Sequence, residues 1–285
     1  MRRILSLTIA ALMVLMLTGA RAEQAGWQNI LLLGGDARDM ERYDRSDAMI
    51  ILSVNREEGR VKMTSIMRDT WVRYPGRGDA GKINAAAVYG GPELAVATVN
   101  SCFGTDIEDY VIVNMEDLVT IIDRLGGVDL EITEAERVQI NRNARNYTGT
   151  AYSGEKSVDT SGTVHLNGLL AMSYCRIRAI DSDFERVMRQ QKVLLAMAGR
   201  AQEMELSELM KAGDDIIRAV HTSLDGDQPR QLMMALMTVD VGEVGQFRIP
   251  ADGTYSAGMQ GDVWRIEPDF EKNRMLLHEF IYETQ

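Results

Sequence analysis

Two apolar runs near the start of the chain set the tightest limit on its fold. Ile30-Leu31-Leu32-Leu33 closes on Gly34-Gly35, and Ala48 to Val54 follows an intervening polar loop. Neither run alternates between apolar and polar residues, so each reads as a strand covered on both faces. A turn over Asn55 to Arg60, with Gly59, leads into Val61 to Ile66. That pair of strands predicts a hairpin, which brings the start of its first strand and the end of its second to one edge of a sheet. If the Ile30 strand runs antiparallel to its successor, its C-terminal end arrives at the same edge.

Downstream the periodicity switches repeatedly between strand and helix. Gly90-Gly91-Pro92 places proline at a first helical position, and Leu94 to Cys102 continues the helix. Tyr110 to Val113 reads as a strand. Leu118, Ile121, Ile122 and Leu125 make an apolar helical stripe ended by Gly126-Gly127, and Val128 to Ile132 is a strand again. Asn141 to Thr163, rich in Asn, Gly, Ser and Thr, predicts a long surface loop. Helical spacing returns over Leu166 to Met172, Val187 to Met197, Leu206 to Leu224, Pro229 to Met237 and Asn273 to Tyr282, with strands at Gln246 to Ile249 and Val263 to Ile266. The expected fold is α/β: a central mixed β-sheet with helices packed on both faces, in three layers. No linker or repeat divides the chain, so a single domain is expected over residues 27–285.

The first residues carry their own signal. Met1-Arg2-Arg3, the apolar run Ile4 to Leu17 and Ala20-Arg21-Ala22 have the layout of a secretory signal over residues 1–22, either cleaved or kept as an anchor. The remainder is expected to work outside the cytoplasmic membrane, where nucleotide-driven chemistry is disfavoured. A net charge of -11 argues against a nucleic-acid partner. Cys102 and Cys175 read as two separate buried thiols, and His165, His221 and His278 lack metal-ligand spacing.

Against that acidic background stands a local cluster of positive charge. Tyr174-Cys175-Arg176-Ile177-Arg178, read as extended, sends Arg176 and Arg178 out on one side. Ser182 with Glu185 reads as a capping box, after which Arg186, Arg189 and Gln190 at i, i+3 and i+4 share a helix face. Arginines in the first turns oppose the helix dipole and call for an anion nearby. Asp181, Asp183 and Glu185 supply it through surface ion pairs on one reading. On the other, the guanidinium forks bind a diphosphate.

The hairpin edge gathers a second set. Arg45 and Asp47 precede one strand while Arg68 and Asp69 follow the other, and Asp36 and Arg38 end the Ile30 strand. Asp36 and Asp47 either share a hard divalent cation with phosphate oxygens and water, or pair structurally with Arg38, Arg45 and Arg68. Lys82 either adds a point charge to the anion or is a solvated lysine.

No G-x-x-x-x-G-K-[ST], no G-x-G-x-x-G after a strand and no G-x-S-x-G occurs. What does occur is an ordered set: Gly35-Asp36-Ala37-Arg38, Arg45-Ser46-Asp47, Ser65-Ile66-Met67-Arg68-Asp69-Thr70, Lys82-Ile83-Asn84-Ala85, Tyr89-Gly90-Gly91-Pro92, Leu125-Gly126-Gly127-Val128, Leu166-Asn167-Gly168, the Tyr174 to Arg178 run, and Asp183-Phe184-Glu185-Arg186 with Arg189-Gln190. Over residues 29–198 this resembles the LytR-CpsA-Psr family of cell-wall enzymes; residues 201–285 add C-terminal helices and strands. The resemblance implies a phosphotransferase that moves a glycopolymer, teichoic acid or capsule among the classes, from a polyprenyl-pyrophosphate carrier to peptidoglycan at the membrane surface. It implies Mg2+ on Asp36 and Asp47, pyrophosphate on Arg45, Arg68, Lys82, Arg176, Arg178, Arg186 and Gln190, and a further active-site carboxylate in Asp183. Arg38 and Arg189 join the phosphate set by their position beside those residues. Met67 and Cys175 depart from the commoner pattern of proline and an aliphatic residue, and neither changes a charge. A lipid-pyrophosphate hydrolase and a non-catalytic lipid-phosphate-binding module are the alternatives.

Overall fold

The computed structural model describes residues 26–35, 43–147, 152–181 and 183–283. In chain order its strands are β1 (Trp27–Gly35), β2 (Ser46–Asn55), β3 (Arg60–Ile66), β4 (Trp71–Arg73), β5 (Ala80–Lys82), β6 (Asp109–Asn114), β7 (Val128–Ile132), β8 (Gly162–Leu166), β9 (His221–Thr222), β10 (Gly245–Ile249), β11 (Tyr255–Gln260) and β12 (Val263–Pro268). The helices are α1 (Ala86–Phe103), α2 (Met115–Arg124), α3 (Glu134–Arg145), α4 (Gly168–Cys175), α5 (Asp183–Glu203), α6 (Leu206–Ala219), α7 (Gln228–Met237) and α8 (Phe270–Tyr282). No described helix is long and apolar enough to cross a membrane. The expected export segment, residues 1–22, lies outside the described residues.

Six strands form the main sheet in the order β10-β3-β2-β1-β6-β9. The expected hairpin is β2–β3, and β1 pairs with β2 antiparallel and with β6 parallel, so the sheet is mixed. Both faces are covered, as the unalternated apolar runs demand. Leu31, Leu33, Met49 and Ile51 pack with Val96, Val99 and Phe103 of α1 and with Leu277 and Ile281 of α8. Ile30, Ile50, Leu52 and Val54 face the other way, against Leu194 of α5 and Leu232 of α7. A third cluster ties α2, α3, α4 and α5 to β7 and β8 through Ile122, Ile140, Leu169, Val193, Val128 and Leu166.

Several sequence expectations are corrected. Val128 to Ile132 does form a strand, but it pairs with β8 in a separate two-stranded sheet. The stretch expected as a loop over Asn141 to Thr163 contains the second half of α3 and the start of β8. A readable signal was present there: Thr133 and Glu136 make a reciprocal capping box, which starts α3. The Arg176 to Arg178 run is not a strand. Leu169, Leu170, Ala171, Met172 and Tyr174 are buried around the whole helix circumference, so α4 persists to Cys175 and Arg176 becomes its C-cap. The Ser182 half of the expected Ser182–Glu185 capping box lies outside the described residues.

One irregularity positions the site. Register passes from Gly34↔Ala48 to Gly35↔Ser46, leaving Asp47 as the extra residue of a β-bulge. A bulge bends its strand and re-aims the side chain it carries. Close approach accompanies it, since a Cβ on Gly34 would stand 3.0 Å from the Ala48 Cβ.

Leu31 has no exposed surface, so Leu31→Ala is expected to lower the unfolding free energy by about 2–5 kcal/mol. Equilibrium urea unfolding checks this as a lower midpoint at unchanged slope. Val88→Ala, at an exposed position of α1, is expected to stay within about 0.5 kcal/mol of the parent.

Candidate functional site

Three pieces of chain converge on the bulged Asp47. Arg68, just beyond β3, donates Nη1 to Asp47 Oδ1 at 2.6 Å. Arg178, in the loop after α4, donates Nη2 to Asp47 Oδ2 at 2.5 Å. Arg186, in the first turns of α5, is buried and adds its charge to the field at the same carboxylate. Burial raises the Asp47 pKa, but the Arg68 hydrogen bond and the charges of Arg178, Arg68 and Arg186 outweigh it. The carboxyl is held below its ordinary value.

An apolar cavity opens behind this cluster, at the carboxyl ends of the parallel pair β1 and β6. Its polar mouth is formed by Asp47, Arg176, Arg178, Arg186 and Gln190. Deeper walls come from Leu32 and Ile50 of the sheet, Leu118 of α2, Met172 of α4 and Met197 of α5. Sequence reasoning did not find this lining, because no local pattern marks which side of a buried helix faces a void. Cys175 also lines it, and burial pushes that thiol up to about 12. Both cysteines are unpaired, as expected.

The expected residues thus divide. Asp47, Arg68, Arg178 and Arg186 are brought together, and Arg176 and Gln190 share the cavity mouth. Arg189 is not there. Residues 186 and 190 lie about 40° apart around a helix, whereas 189 and 190 lie about 100° apart. Arg189 accordingly turns away from the cavity and is buried with Glu136 of α3 at 2.9 Å and with Asp181. It also donates Nη1 to the Ile177 carbonyl at 3.4 Å and stands 5.8 Å from the Tyr174 ring. Its partners clamp the loop that carries Arg176 and Arg178; Asp181 is one of the carboxylates the sequence offered as an ion-pair partner for these arginines, whereas Glu136 did not stand out.

Lys82 pairs with Asp69 at 2.7 Å and does not line the cavity, and neither does Arg45, which precedes β2. Asp36 and Arg38 lie outside the described residues. Asp183 begins α5, with its side chain outside that description.

The donor set at Asp47 suits a hard cation. Each carboxylate oxygen keeps a second lone pair after accepting from its arginine, and magnesium takes one or two carboxylates together with phosphate oxygens and water. Among the described residues no group of three or more His, Cys, Asp or Glu side chains is placed to hold a metal ion. A cation bound there would take its remaining oxygens from a phosphate and water.

The LytR_cpsA_psr family matches residues 13–272 of the chain. Among curated relatives, the polyisoprenyl-teichoic acid–peptidoglycan teichoic acid transferase TagU of Bacillus mycoides (strain KBAB4) is 32% identical over 234 residues, covering 80% of this chain and 70% of that one. The protein of the same name from Oceanobacillus iheyensis is 38% identical over 216 residues, covering 72% of this chain and 61% of that one. Among solved structures, TagT bound to LI-WTA superposes with a TM-score of 0.73 at 25% identity, covering 91% of this chain and 92% of that one.

The depressed Asp47 pKa has a definite sign. Its stabilising contribution is complete above the unfolded value of about 3.9 and is lost as pH falls through the lower folded value. Urea unfolding followed from about pH 5 downward is therefore expected to lose stability less steeply in Asp47→Asn than in the parent protein; equal slopes would mean that the pairing does not persist in solution.

Proposed function

The chain belongs to the LytR_cpsA_psr family, and from that premise we propose that it is an extracytoplasmic phosphotransferase, moving a glycopolymer from a polyprenyl-pyrophosphate carrier to peptidoglycan. The observation that carries the proposal is the junction of two chemistries. A carboxylate bridged by two arginines stands at the mouth of an apolar cavity lined by further arginines. A diphosphate with a long isoprenoid tail has that same division of polarity. A free nucleotide or sugar phosphate would leave the cavity walls without a partner.

In the proposed reaction Arg68, Arg176, Arg178 and Arg186 hold the diphosphate, and their planar forks neutralise charge on its non-bridging oxygens. Gln190 orients one of those oxygens by hydrogen bonding. A sugar hydroxyl of the acceptor attacks the glycan-side phosphorus in line. One P–O bond forms to that hydroxyl oxygen while the bridging P–O bond breaks, releasing polyprenyl monophosphate. The hydroxyl proton passes to a carboxylate of the set Asp36, Asp47 and Asp183. Asp47, held acidic by its arginines, is a weak base and serves better to orient them. Asp47 and Asp36 would hold a magnesium ion, which when bound would add charge neutralisation on the phosphate oxygens. Cleavage of the P–O–P linkage drives transfer without ATP, as an exported enzyme requires.

Purified protein incubated with magnesium, lipid-linked glycan and peptidoglycan fragments is expected to yield acceptor-linked glycan phosphate and polyprenyl monophosphate. Free glycan phosphate alone would make the protein a hydrolase, and unchanged bound lipid would make it a binding module. Arg68→Ala is expected to lower turnover of the lipid donor by about 10- to 100-fold, the equivalent of one charge-assisted contact of about 1.5–3 kcal/mol. Parent-level turnover in that variant would remove Arg68 from the site.

A further inference from the structure

Beside the arginine cluster, at the β3–β10 end of the sheet, lies a row of aromatic rings and guanidinium planes that the cavity does not use. The Arg248 guanidinium on β10 stands 4.8 Å from the Phe184 ring and 6.0 Å from Tyr255. Only 9% of that side chain is exposed, and its Nη1 reaches Met67 Sδ at 3.0 Å. Phe184 is two residues from Arg186 and Met67 is adjacent to Arg68, so the stack is held by the same two chain segments that carry those arginines. On the hairpin face opposite Trp264, Arg265 of β12 lies 4.8 Å over the Trp71 ring of β4. The Ile266 N–H donates to the Asp69 carbonyl at 3.0 Å, which fixes the β11–β12 hairpin to the segment carrying Arg68. From that anchor the hairpin runs outward. Met259 sits directly opposite Trp264 on the face shared with Tyr255, and the two are 60% and 47% exposed.

We propose that this ledge seats the acceptor, a strand of the wall glycan; the assignment rests on the transfer reading above. Pyranose rings present an apolar C–H face that packs on aromatic planes such as those of Tyr255 and Trp264. Position selects the acceptor over the donor's own glycan. In-line attack brings the incoming hydroxyl from the side opposite the leaving polyprenyl phosphate, whose tail lies in the cavity under β1 and β6. The ledge stands at the other end of the strand order, beyond β3. Charge selects a glycan over a membrane. Asp252 and Glu267 pair with the two arginines and Asp262 sits in the hairpin turn, so the ledge lacks the basic rim that draws a surface onto anionic lipid.

Isothermal titration of the full chain with an uncrosslinked peptidoglycan tetrasaccharide tests the ledge without requiring turnover. Trp264→Ala and Tyr255→Ala are each expected to weaken tetrasaccharide binding by about tenfold while polyprenyl-pyrophosphate binding is unchanged. Unaltered tetrasaccharide affinity in both variants, or no binding by the parent protein, overturns the proposal. So does a loss confined to anionic vesicles, which would make the hairpin a membrane contact, or one confined to donor-polymer fragments. Should the parent protein fail to bind polyprenyl pyrophosphate, the transfer reading falls, and the tetrasaccharide titration still decides the ledge.

Discussion

The site depends on one carboxylate shared between two guanidinium groups. Arg68 arrives from the turn just beyond β3, and Arg178 arrives from a loop 131 residues beyond Asp47. Without an anion between them, two arginines so close would repel each other and turn outward into water. Solvent screens the pair, since Arg178 is half exposed, so its main effect is on geometry and not on global stability. Asp47 stands in for part of the negative charge that a diphosphate would bring. The pocket is thereby ordered before any ligand enters, and less side-chain freedom remains to be lost on binding.

A second ion-pair set holds that geometry from behind. Arg189 is buried with carboxylates from α3 and from the α4–α5 loop, and it also donates to the Ile177 carbonyl. A buried arginine left unpaired would be costly, whereas one with two carboxylate partners fastens the α4–α5 loop to the body of the protein. The two neighbouring arginine types therefore divide their labour by helix angle. Arg186 and Gln190 meet the cavity, while Arg189 meets the scaffold.

The layered sheet was legible because its evidence is local: unbroken apolar runs at Ile30 and Ala48, a glycine turn between β2 and β3, and apolar stripes in the helices. The arginine cluster was legible through motif order and through the hairpin logic that brings Asp47 and Arg68 to one edge. What escaped the sequence was set by tertiary partners. Arg189 lies about 60° from Arg186 and about 100° from Gln190 around α5, a spread that a reading of i, i+3 and i+4 as one face overlooks, and Glu136 and Asp181 meet it on the side away from the cavity. Lys82 is neutralised by Asp69 across a short β-ladder that leaves almost no pattern in three-residue strands. The α4 C-cap at Arg176 imitated an extended segment because its arginines alternate with apolar neighbours.

The cavity walls carry three thioethers, Met115, Met172 and Met197. An unbranched side chain with three rotatable bonds yields to whatever shape presses against it. In the proposed reaction, walls of this kind would accept isoprenoid chains of differing unsaturation or bend with little penalty and would discriminate poorly between carriers. Fidelity in choosing a lipid would then reside at the headgroup, where rigid planar cations would meet tetrahedral oxygens, and the greasy interior would act as a sleeve rather than a ruler.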